Sequence, residues 1–386
     1  GGVGEKTASL TLNRATQSTR PPGSSIKPLS VYSPSIDLGI VNQNSVVNDS
    51  PNVVLEGIKN WYPTNSGGGY SGLITVRTAL QYSKNTIAAQ LLDLLGLQTS
   101  WDYLTNHYGL STLVRDEIQD DGSIVTDYAY APMALGQFSH GVTVREMAQA
   151  YTAFVNDGIM SYGRTYSLIT DDEGEVVMTN PTRQIVSIKA NTAYNMADML
   201  QNAVMQGTGT DAYFGTTAVG GKTGTTTDDK DRYFVGFTMY YVAAVWTGYD
   251  SPEVMYFSGN PAAQIFRNIM SQIHAGYSWW SFPTPTIEKA TVASFSLETP
   301  EPTETPEPSD TPEPTEGPEE TPAEVTPEPT DPPTGVEETP IPITPEPITP
   351  EPVTPEPVTP EPVTPEPSTP EPVIDVPPDT GGETEG

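Results

Sequence analysis

The 386-residue sequence contains no cysteine and only three histidines. The absence of cysteine excludes disulfide bonds, thiolate metal sites and a cysteine nucleophile. A hydrolase of the Ser-His-Asp type is also disfavoured, because no Gly-x-Ser-x-Gly turn accompanies His107, His140 or His274. We expect each of these histidines to be structural or to lie at the surface.

Long apolar runs are missing as well. No stretch of about 18 apolar residues is present, so we expect no segment of this sequence to span a membrane. No signal peptide is found either. The chain opens with Gly1-Gly2 in place of an initiating methionine. We therefore expect the sequence to be the C-terminal part of a longer protein.

Basic residues are scarce and stop at Lys289. The formal net charge is −32, but 24 of the 49 acidic residues lie after residue 290. The first 290 residues hold the other 25 acidic residues and all 17 basic ones, which leaves a net charge of −8. That is an ordinary globular surface. No basic patch indicates nucleic acid as a partner.

Proline is concentrated at the C-terminal end. Residues 291–386 contain 28 of the 40 prolines, and Thr-Pro-Glu-Pro-Val repeats with a five-residue period over residues 344–363. Such a segment buries too little apolar surface to offset the entropy lost on ordering. The composition therefore predicts a globular domain over residues 1–283 and a disordered, acidic, proline-rich tail or spacer over residues 284–386.

The strongest candidate for chemistry is the pair Ser24 and Lys27, which have the spacing Ser-x-x-Lys at the expected start of a helix. Residues three apart lie on one helix face, so the two side chains are expected to share a hydrogen bond. A serine hydroxyl is a weak nucleophile until a base takes its proton. Lysine becomes such a base when desolvation or a neighbouring cation lowers its pKa. Gly23 permits a sharp turn just before this pair.

Two further motifs follow at intervals of about 60 and about 140 residues. The first is Ser83-Lys84-Asn85, and the second is Lys222-Thr223-Gly224. The order and rough spacing of the three motifs resemble the three-part signature of penicillin-recognising serine acyltransferases. We expect Ser83 and Asn85 to project into a cleft from a turn between two helices, with Lys84 facing solvent.

Hydrophobic periodicity predicts a chain of mixed helices and strands. The predicted helices cover residues 24–40, 74–95 with a break at 82–85, 100–108, 143–158, 192–204 and 260–276. The predicted strands cover residues 159–169, 175–179, 218–225, 233–240 and 241–247. Residues 41–72 and 116–121 are expected to be loops. Thr143 and Glu146 have the spacing of a capping box.

The motifs and their flanks resemble the transpeptidase domain of bacterial class A (bifunctional) penicillin-binding proteins. The likeness covers about residues 1–282 and includes Asn13-Arg14-Ala15-Thr16 and Gly207-Thr208-Gly209-Thr210. It implies an α/β fold of the α+β type, in which an antiparallel sheet is flanked by helices on both sides, as in penicillin-binding proteins and β-lactamases. The family's glycosyltransferase domain, membrane anchor and first sheet strand are not found among these residues, so the N-terminal strand is expected to be truncated.

The resemblance also implies substrates, partners and a location. The expected activity is the cross-linking of peptidoglycan stem peptides, with D-Ala-D-Ala as donor and an amine as acceptor. β-Lactams would acylate the same serine, other cell-wall synthesis proteins are possible partners, and no cofactor or metal ion is expected. The protein would work at the extracytoplasmic face of the cell membrane, which it would reach only through an anchor upstream of these residues.

The resemblance implies catalytic roles for four residues. Ser24 would attack the carbonyl between two D-alanines and carry the acyl group, and Lys27 would take its proton. Ser83 would relay a proton to the departing D-alanine. Lys222 would keep the local field positive and help Lys27 to stay neutral.

Substrate binding is implied for the remaining motif residues. Asn85 would hold the peptide backbone of the substrate. Thr223, Gly224 and Thr225 would line the strand side of the site, and the two threonines would bind the terminal carboxylate. The oxyanion would lie between the backbone N–H groups of Ser24 and Thr225.

Three related functions share part of this signature. A β-lactamase would need a carboxylate that activates a deacylating water, whereas Glu146 is assigned here to a helix cap. A D,D-carboxypeptidase would transfer the acyl group to water in place of an amine. A wall-binding or β-lactam-sensing module would be acylated without turnover.

Overall fold

A computed structural model describes residues 11–51, 53–287 and 289–290 of the chain. All of these residues belong to the first of the two units into which the chain divides, Gly1–Thr305 and Pro306–Gly386. The predicted tail therefore lies outside the described residues from residue 291 onward, and its boundary at residue 284 stays a prediction. Within the described ranges, no helix has both the length and the apolar character needed to cross a membrane.

The described residues form α-helices joined by short turns of 3-10 and π helix. The α-helices are α1 (Ser33–Asp37), α2 (Val76–Gln81), α3 (Asn85–Leu95), α4 (Leu97–Asp102), α5 (Tyr130–Leu135), α6 (Val144–Tyr151), α7 (Ala190–Gln206) and α8 (Pro261–Ile273). The 3-10 turns are Gly23–Ile26, Thr152–Val155, Thr210–Ala212 and Thr227–Asp229, and the π turns are Pro28–Tyr32 and Tyr103–His107.

The strands are short except around the Lys-Thr-Gly motif. They are β1 (Thr19–Arg20), β2 (Val46–Asp49), β3 (Gly72–Thr75), β4 (Glu117–Ile118), β5 (Ile124–Val125), β6 (Val142–Thr143), β7 (Ile159–Ser161), β8 (Leu168–Thr170), β9 (Val176–Thr179), β10 (Gln184–Val186), β11 (Gly220–Thr225), β12 (Asp231–Phe237) and β13 (Val242–Gly248). Every pairing is antiparallel: β1 with β6, β2 with β3, β4 with β5, β7 with β10, β8 with β9, and β11 with β12 and β13.

The three-stranded sheet β11-β12-β13 separates two apolar layers. Successive side chains of a strand point to opposite faces. Phe237 therefore packs on one face with Tyr151, at 6.5 Å between ring centroids, while Phe234 packs on the other with Phe266 of α8, at 4.8 Å. Tyr151 ends α6, so helices cover both faces of the sheet. The predicted fold class is confirmed.

The helical segment that carries the first motif changes its winding at Lys27. This residue keeps helical angles (φ −49°, ψ −42°) between the 3-10 turn Gly23–Ile26 and the π turn Pro28–Tyr32. A residue before proline is biased away from the helical region, and here the burial of the whole segment outweighs that local preference. Ile26 and Leu29 are fully buried in the main core.

Two predicted loops contain strands instead. The segment 41–72 includes β2 and the start of β3, which pair as a hairpin around a long connection. The acidic segment 116–121 includes β4, which pairs with β5. Both strands are short and polar at several positions, so period-two hydrophobic patterning could not reveal them. The capping box of α6 is confirmed, because Thr143 Oγ1 accepts from the Glu146 N–H and the Glu146 carboxylate accepts from the Thr143 N–H.

Candidate active site

A polar cleft of about 1240 Å³ opens where the sheet, the first helical segment and the α2–α3 turn meet. Its lining brings together five of the eight residues predicted to form the site: Ser24, Ser83, Asn85, Thr223 and Thr225. The other three predicted site residues, Lys27, Lys222 and Gly224, are buried.

Glycines allow the first helical segment to touch strand β11. Gly23 has φ +53°, and a Cβ there would lie 2.5 Å from the carbonyl oxygen of Thr225. A Cβ on Gly224 would lie 2.0 Å from the carbonyl oxygen of Pro22. Any side chain at either position would push the two elements apart. The glycine of the Lys-Thr-Gly motif is therefore needed for close packing against the residues just before Ser24.

The amine of Lys27 is the point where the first two motifs meet. Its Nζ donates to the Ser83 carbonyl oxygen at 2.9 Å and to Asn85 Oδ1 at 2.6 Å, and it lies 3.4 Å from Ser83 Oγ. Ser83 has φ +57°, a left-handed conformation that a non-glycine residue seldom adopts. Such strain is typical of functional turns, and here it turns both the carbonyl and the hydroxyl of Ser83 toward Lys27.

The expected hydrogen bond between Ser24 and Lys27 is not among those found in the described residues. The Lys27 amine is directed at the α2–α3 turn, and Ser24 lines the cleft. Helical spacing correctly predicted that the two residues share one helical segment. It could not predict the partners that the turn offers to a long, flexible lysine side chain.

Burial changes the acid–base properties of both motif lysines. Lys27 and Lys222 are fully buried. Desolvation, reinforced by the positive charge of Lys222, lowers the pKa of Lys27 well below its ordinary value. Desolvation also lowers the pKa of Lys222 to about 7. A neutral Lys27 at physiological pH is consistent with these shifts.

Strand β11 presents its two threonines to the cleft. Thr223 pairs with Phe234 and Thr225 with Arg232 across the ladder, so both threonines lie on one face of the regular pleat. Thr223 Oγ1 lies 2.9 Å from Thr208 Oγ1. On the opposite face, Lys222 Nζ reaches back to donate to the Thr223 carbonyl oxygen at 3.0 Å.

The group beneath the second motif, Asp49 with Asn65 and Lys84, has no signature in the sequence. Lys84, which was expected to face solvent, forms a 2.9 Å ion pair with Asp49, whose side chain is fully buried. Asp49 ends β2 and Asn65 lies in the loop that follows; both belong to the segment predicted to be a surface loop. No local signal joins these residues to the motif, because only the tertiary fold brings β2 against α3.

The histidines and Glu146 lie away from the cleft lining. His274 is buried and lies 2.9 Å from Thr238 Oγ1, and His140 pairs with Glu117 at the surface. His107 bonds the carbonyl oxygen of Ser187. The Glu146 carboxylate is used by Thr143, Ser111 and Thr112. The prediction that the histidines are structural or at the surface is confirmed.

Comparisons with known proteins agree with this geometry. A family model described as the penicillin-binding protein transpeptidase domain matches residues 4–271. Penicillin-binding protein 1A of Clostridium acetobutylicum is 41% identical over 282 residues, which is 70% of this chain and 33% of that protein. The chain thus spans about a third of the length of that relative.

Two solved structures have the same fold. PonA1 of Mycobacterium tuberculosis in complex with penicillin V is 24% identical, with a TM-score of 0.59 over 73% of this chain and 76% of that one. The D,D-transpeptidase domain of the peptidoglycan glycosyltransferase of Eggerthella lenta is 20% identical, with a TM-score of 0.56 over 70% of this chain and 69% of that one. This chain belongs to the family of penicillin-binding protein transpeptidase domains.

Proposed function

We propose that the chain is a serine D,D-transpeptidase that cross-links peptidoglycan stem peptides through an acyl-enzyme on Ser24. The observation that carries the proposal is the desolvated amine of Lys27, 2.6 Å from Asn85 Oδ1, beneath a cleft that Ser24 and Ser83 line. A hydroxyl becomes a nucleophile when a neutral base is within reach of its proton.

The hydrogen bonds of Lys27 can all be made by a neutral amine, the form that its desolvation favours. A neutral amine has two N–H donors, which the Ser83 carbonyl and Asn85 Oδ1 accept, and one lone pair. Ser83 Oγ, 3.4 Å away, is a hydroxyl that can donate to that lone pair or receive a proton from the protonated amine. In the proposed reaction, Lys27 takes the Ser24 proton as the Oγ–carbonyl bond forms. Ser83 then passes this proton to the amine of the departing D-alanine as the peptide bond breaks.

Strand β11 lines one side of the cleft and supports two further proposed roles, oxyanion stabilisation and carboxylate binding. Gly23 packs against the backbone of Thr225, where an added Cβ would lie 2.8 Å from the Thr225 nitrogen. This contact supports the backbone N–H groups of Ser24 and Thr225 as the proposed oxyanion donors. The N–H groups of a first helical turn have no acceptor within the helix, and losing one oxyanion donor costs about 10²–10³ in rate. Thr223 and Thr225 present hydroxyls to the cleft for the terminal carboxylate, and Asn85 is the candidate for holding the substrate backbone.

The second half of the reaction decides between transpeptidation and hydrolysis. An amine acceptor that attacks the acyl-enzyme gives a cross-link and regenerates Ser24, whereas water gives D,D-carboxypeptidase activity. We propose the amine, by analogy with the family. We also propose that the full-length protein carries a peptidoglycan glycosyltransferase domain and an anchor upstream of this chain. The whole protein would then act at the outer face of the cell membrane, together with other wall-synthesis proteins.

Labelling with a fluorescent penicillin tests the proposal. We expect wild-type protein to form a stable covalent adduct and Ser24→Ala to form none. Released D-alanine and a cross-linked product, measured with a D-Ala-D-Ala donor and an added amine, would then separate transpeptidation from hydrolysis. No adduct in the folded wild-type protein would refute an acylating function, and rapid hydrolysis of the drug would indicate a β-lactamase.

A further inference from the structure

Asp49 is a buried carboxylate beneath the second motif with four hydrogen-bonding partners. Its Oδ1 accepts from Asn65 Nδ2 and from Thr86 Oγ1, both at 2.6 Å. Its Oδ2 accepts from the Ser71 N–H at 2.8 Å and from Lys84 Nζ at 2.9 Å. A buried carboxylate with this many partners costs little to keep ionised, and losing its charge would leave several donors unpaired.

Asn65 connects Asp49 to the second motif through hydrogen bonds. Its Nδ2 is held by Asp49, and its Oδ1 therefore faces the backbone N–H of Asn85, which donates to it at 2.8 Å. The neighbouring Thr64 carbonyl accepts from Asn85 Nδ2, also at 2.8 Å. With its Nδ2 engaged there, the Asn85 amide turns Oδ1 toward the Lys27 amine.

From these contacts we infer that Asp49 and Asn65 are positioning residues, which hold the Asn85 amide so that its oxygen faces Lys27. The inference rests on the proposed function and deepens it. Lys84, the middle residue of the motif, has a defined part in this arrangement, because its ion pair with Asp49 draws the motif backbone onto the end of β2. Neither positioning residue touches the reacting atoms.

A second carboxylate, Asp93 on α3, binds the loop that contains Asn65 and serves as a matched control. Asp93 accepts from the backbone N–H groups of Glu56 and Gly57 at 2.7 and 2.9 Å and from the Tyr130 hydroxyl. It thus ties down another part of residues 50–71 without contacting the second motif. Asp93→Asn loosens the loop in the same chemical way as Asp49→Asn, but from a position two turns further along α3 than Asn85, about 12 Å at 1.5 Å per residue.

The experiment measures the rate of penicillin acylation against pH for the full chain and both variants. For Asp49→Asn we expect the acylation rate to fall about 10²-fold, the effect of a small misplacement of reacting groups.

The charged and polar groups that face the Lys27 amine are Lys222 from β11 and Ser83 and Asn85 from the α2–α3 connection. Asn85 Oδ1 stabilises the protonated amine of Lys27, so the loss of this contact in Asp49→Asn lowers the pKa of Lys27. The acid limb of the pH profile of the acylation rate then moves to lower pH. Asp93→Asn should leave the rate within about twofold and the limb unmoved.

The possible results distinguish failure of this inference from failure of the proposed acylation of Ser24. Wild-type protein that acylates, with Asp49→Asn acylating equally well, overturns the inference alone. Equal losses in Asp49→Asn and Asp93→Asn with an unmoved limb also overturn it, since the loop would then matter only for stability. No acylation in folded wild type overturns both proposals. Should Asp49→Asn not fold, Asn65→Ala tests the same link, because Asp49 then keeps Thr86, Ser71 and Lys84; a normal rate and profile there overturn the inference.

Discussion

The Lys27 amine lies 2.6 Å from Asn85 Oδ1, although 58 residues separate the two along the chain. A short N–H···O contact in a buried site is electrostatically stronger than in water. It joins the Ser-x-x-Lys and Ser-x-Asn motifs directly. The third motif acts on the same amine from the other side, through the charge of Lys222.

Lys27→Met should slow acylation strongly while the protein stays folded. Methionine fills a similar volume without a basic group. The acylation rate should therefore fall about 10²–10⁴-fold, which is the usual contribution of a general base. The measurement is the acylation rate of a fluorescent penicillin, with circular dichroism and thermal unfolding as controls for the fold. Near-normal acylation would reject Lys27 as the base.

Lys222→Met should move the pH profile of acylation. The positive charge of Lys222 lowers the pKa of Lys27, so removing that charge raises the pKa of Lys27. The acid limb should then move to higher pH, opposite to the direction expected for Asp49→Asn. Rates measured from about pH 5 to pH 9 check this, and an unmoved limb would show that the two lysines are not coupled.

Lys222 should also make stability depend on pH. Its pKa is about 7 in the folded protein against 10.5 for an ordinary lysine. Between these values the unfolded chain holds a proton that the folded chain lacks, so the free energy of unfolding should rise with pH above about 7. At 1.36 kcal/mol per pH unit, the upper limit is about 5 kcal/mol.

The measurement is denaturant unfolding of wild type and Lys222→Met at about pH 7 and about pH 9. The variant should be the more stable of the two at the lower pH, because it buries no amine, and the gap should narrow at the higher pH. A constant gap at both pH values would contradict the low pKa of Lys222.

Gly23→Ala should open the contact between the first helical segment and β11. The new Cβ would meet the Thr225 carbonyl at 2.5 Å, and the alanine would also have to adopt φ +53°. We expect a loss of stability of about 1–3 kcal/mol and a strong loss of acylation. Gly122→Ala is the control, since Gly122 has φ +81° but no atom lies within 4 Å of the position that its Cβ would take.

Comparing the two variants separates the effect of the steric clash with Thr225 from the effect of a positive φ at alanine. Gly122→Ala should lose stability through strain alone and keep its acylation rate. If Gly23→Ala acylates as fast as Gly122→Ala, close packing against Thr225 is not needed for the site.

Much of the architecture follows from local patterns. The break at residues 82–85 between two apolar helical stretches predicted a turn that carries Ser83 and Asn85. The turn is confirmed for Ser83, whereas Asn85 is the first residue of α3. The capping box at Thr143 and the proline at the start of α8 marked helix ends by chemistry that acts within four residues. The alternation over 218–247 predicted the three sheet strands within a few residues of their observed ends.

The sequence by itself determined the three motifs and the break between helices that carries Ser83, because these depend on periodicity and on short-range chemistry. The fold class followed from the resemblance of the motifs and their flanks to a known family. Only the tertiary structure decided that Lys27 bonds the turn and not Ser24, and that Lys84 pairs with the buried Asp49. Lysine side chains are long and flexible, so their partners depend on which distant segments the packed core brings within reach.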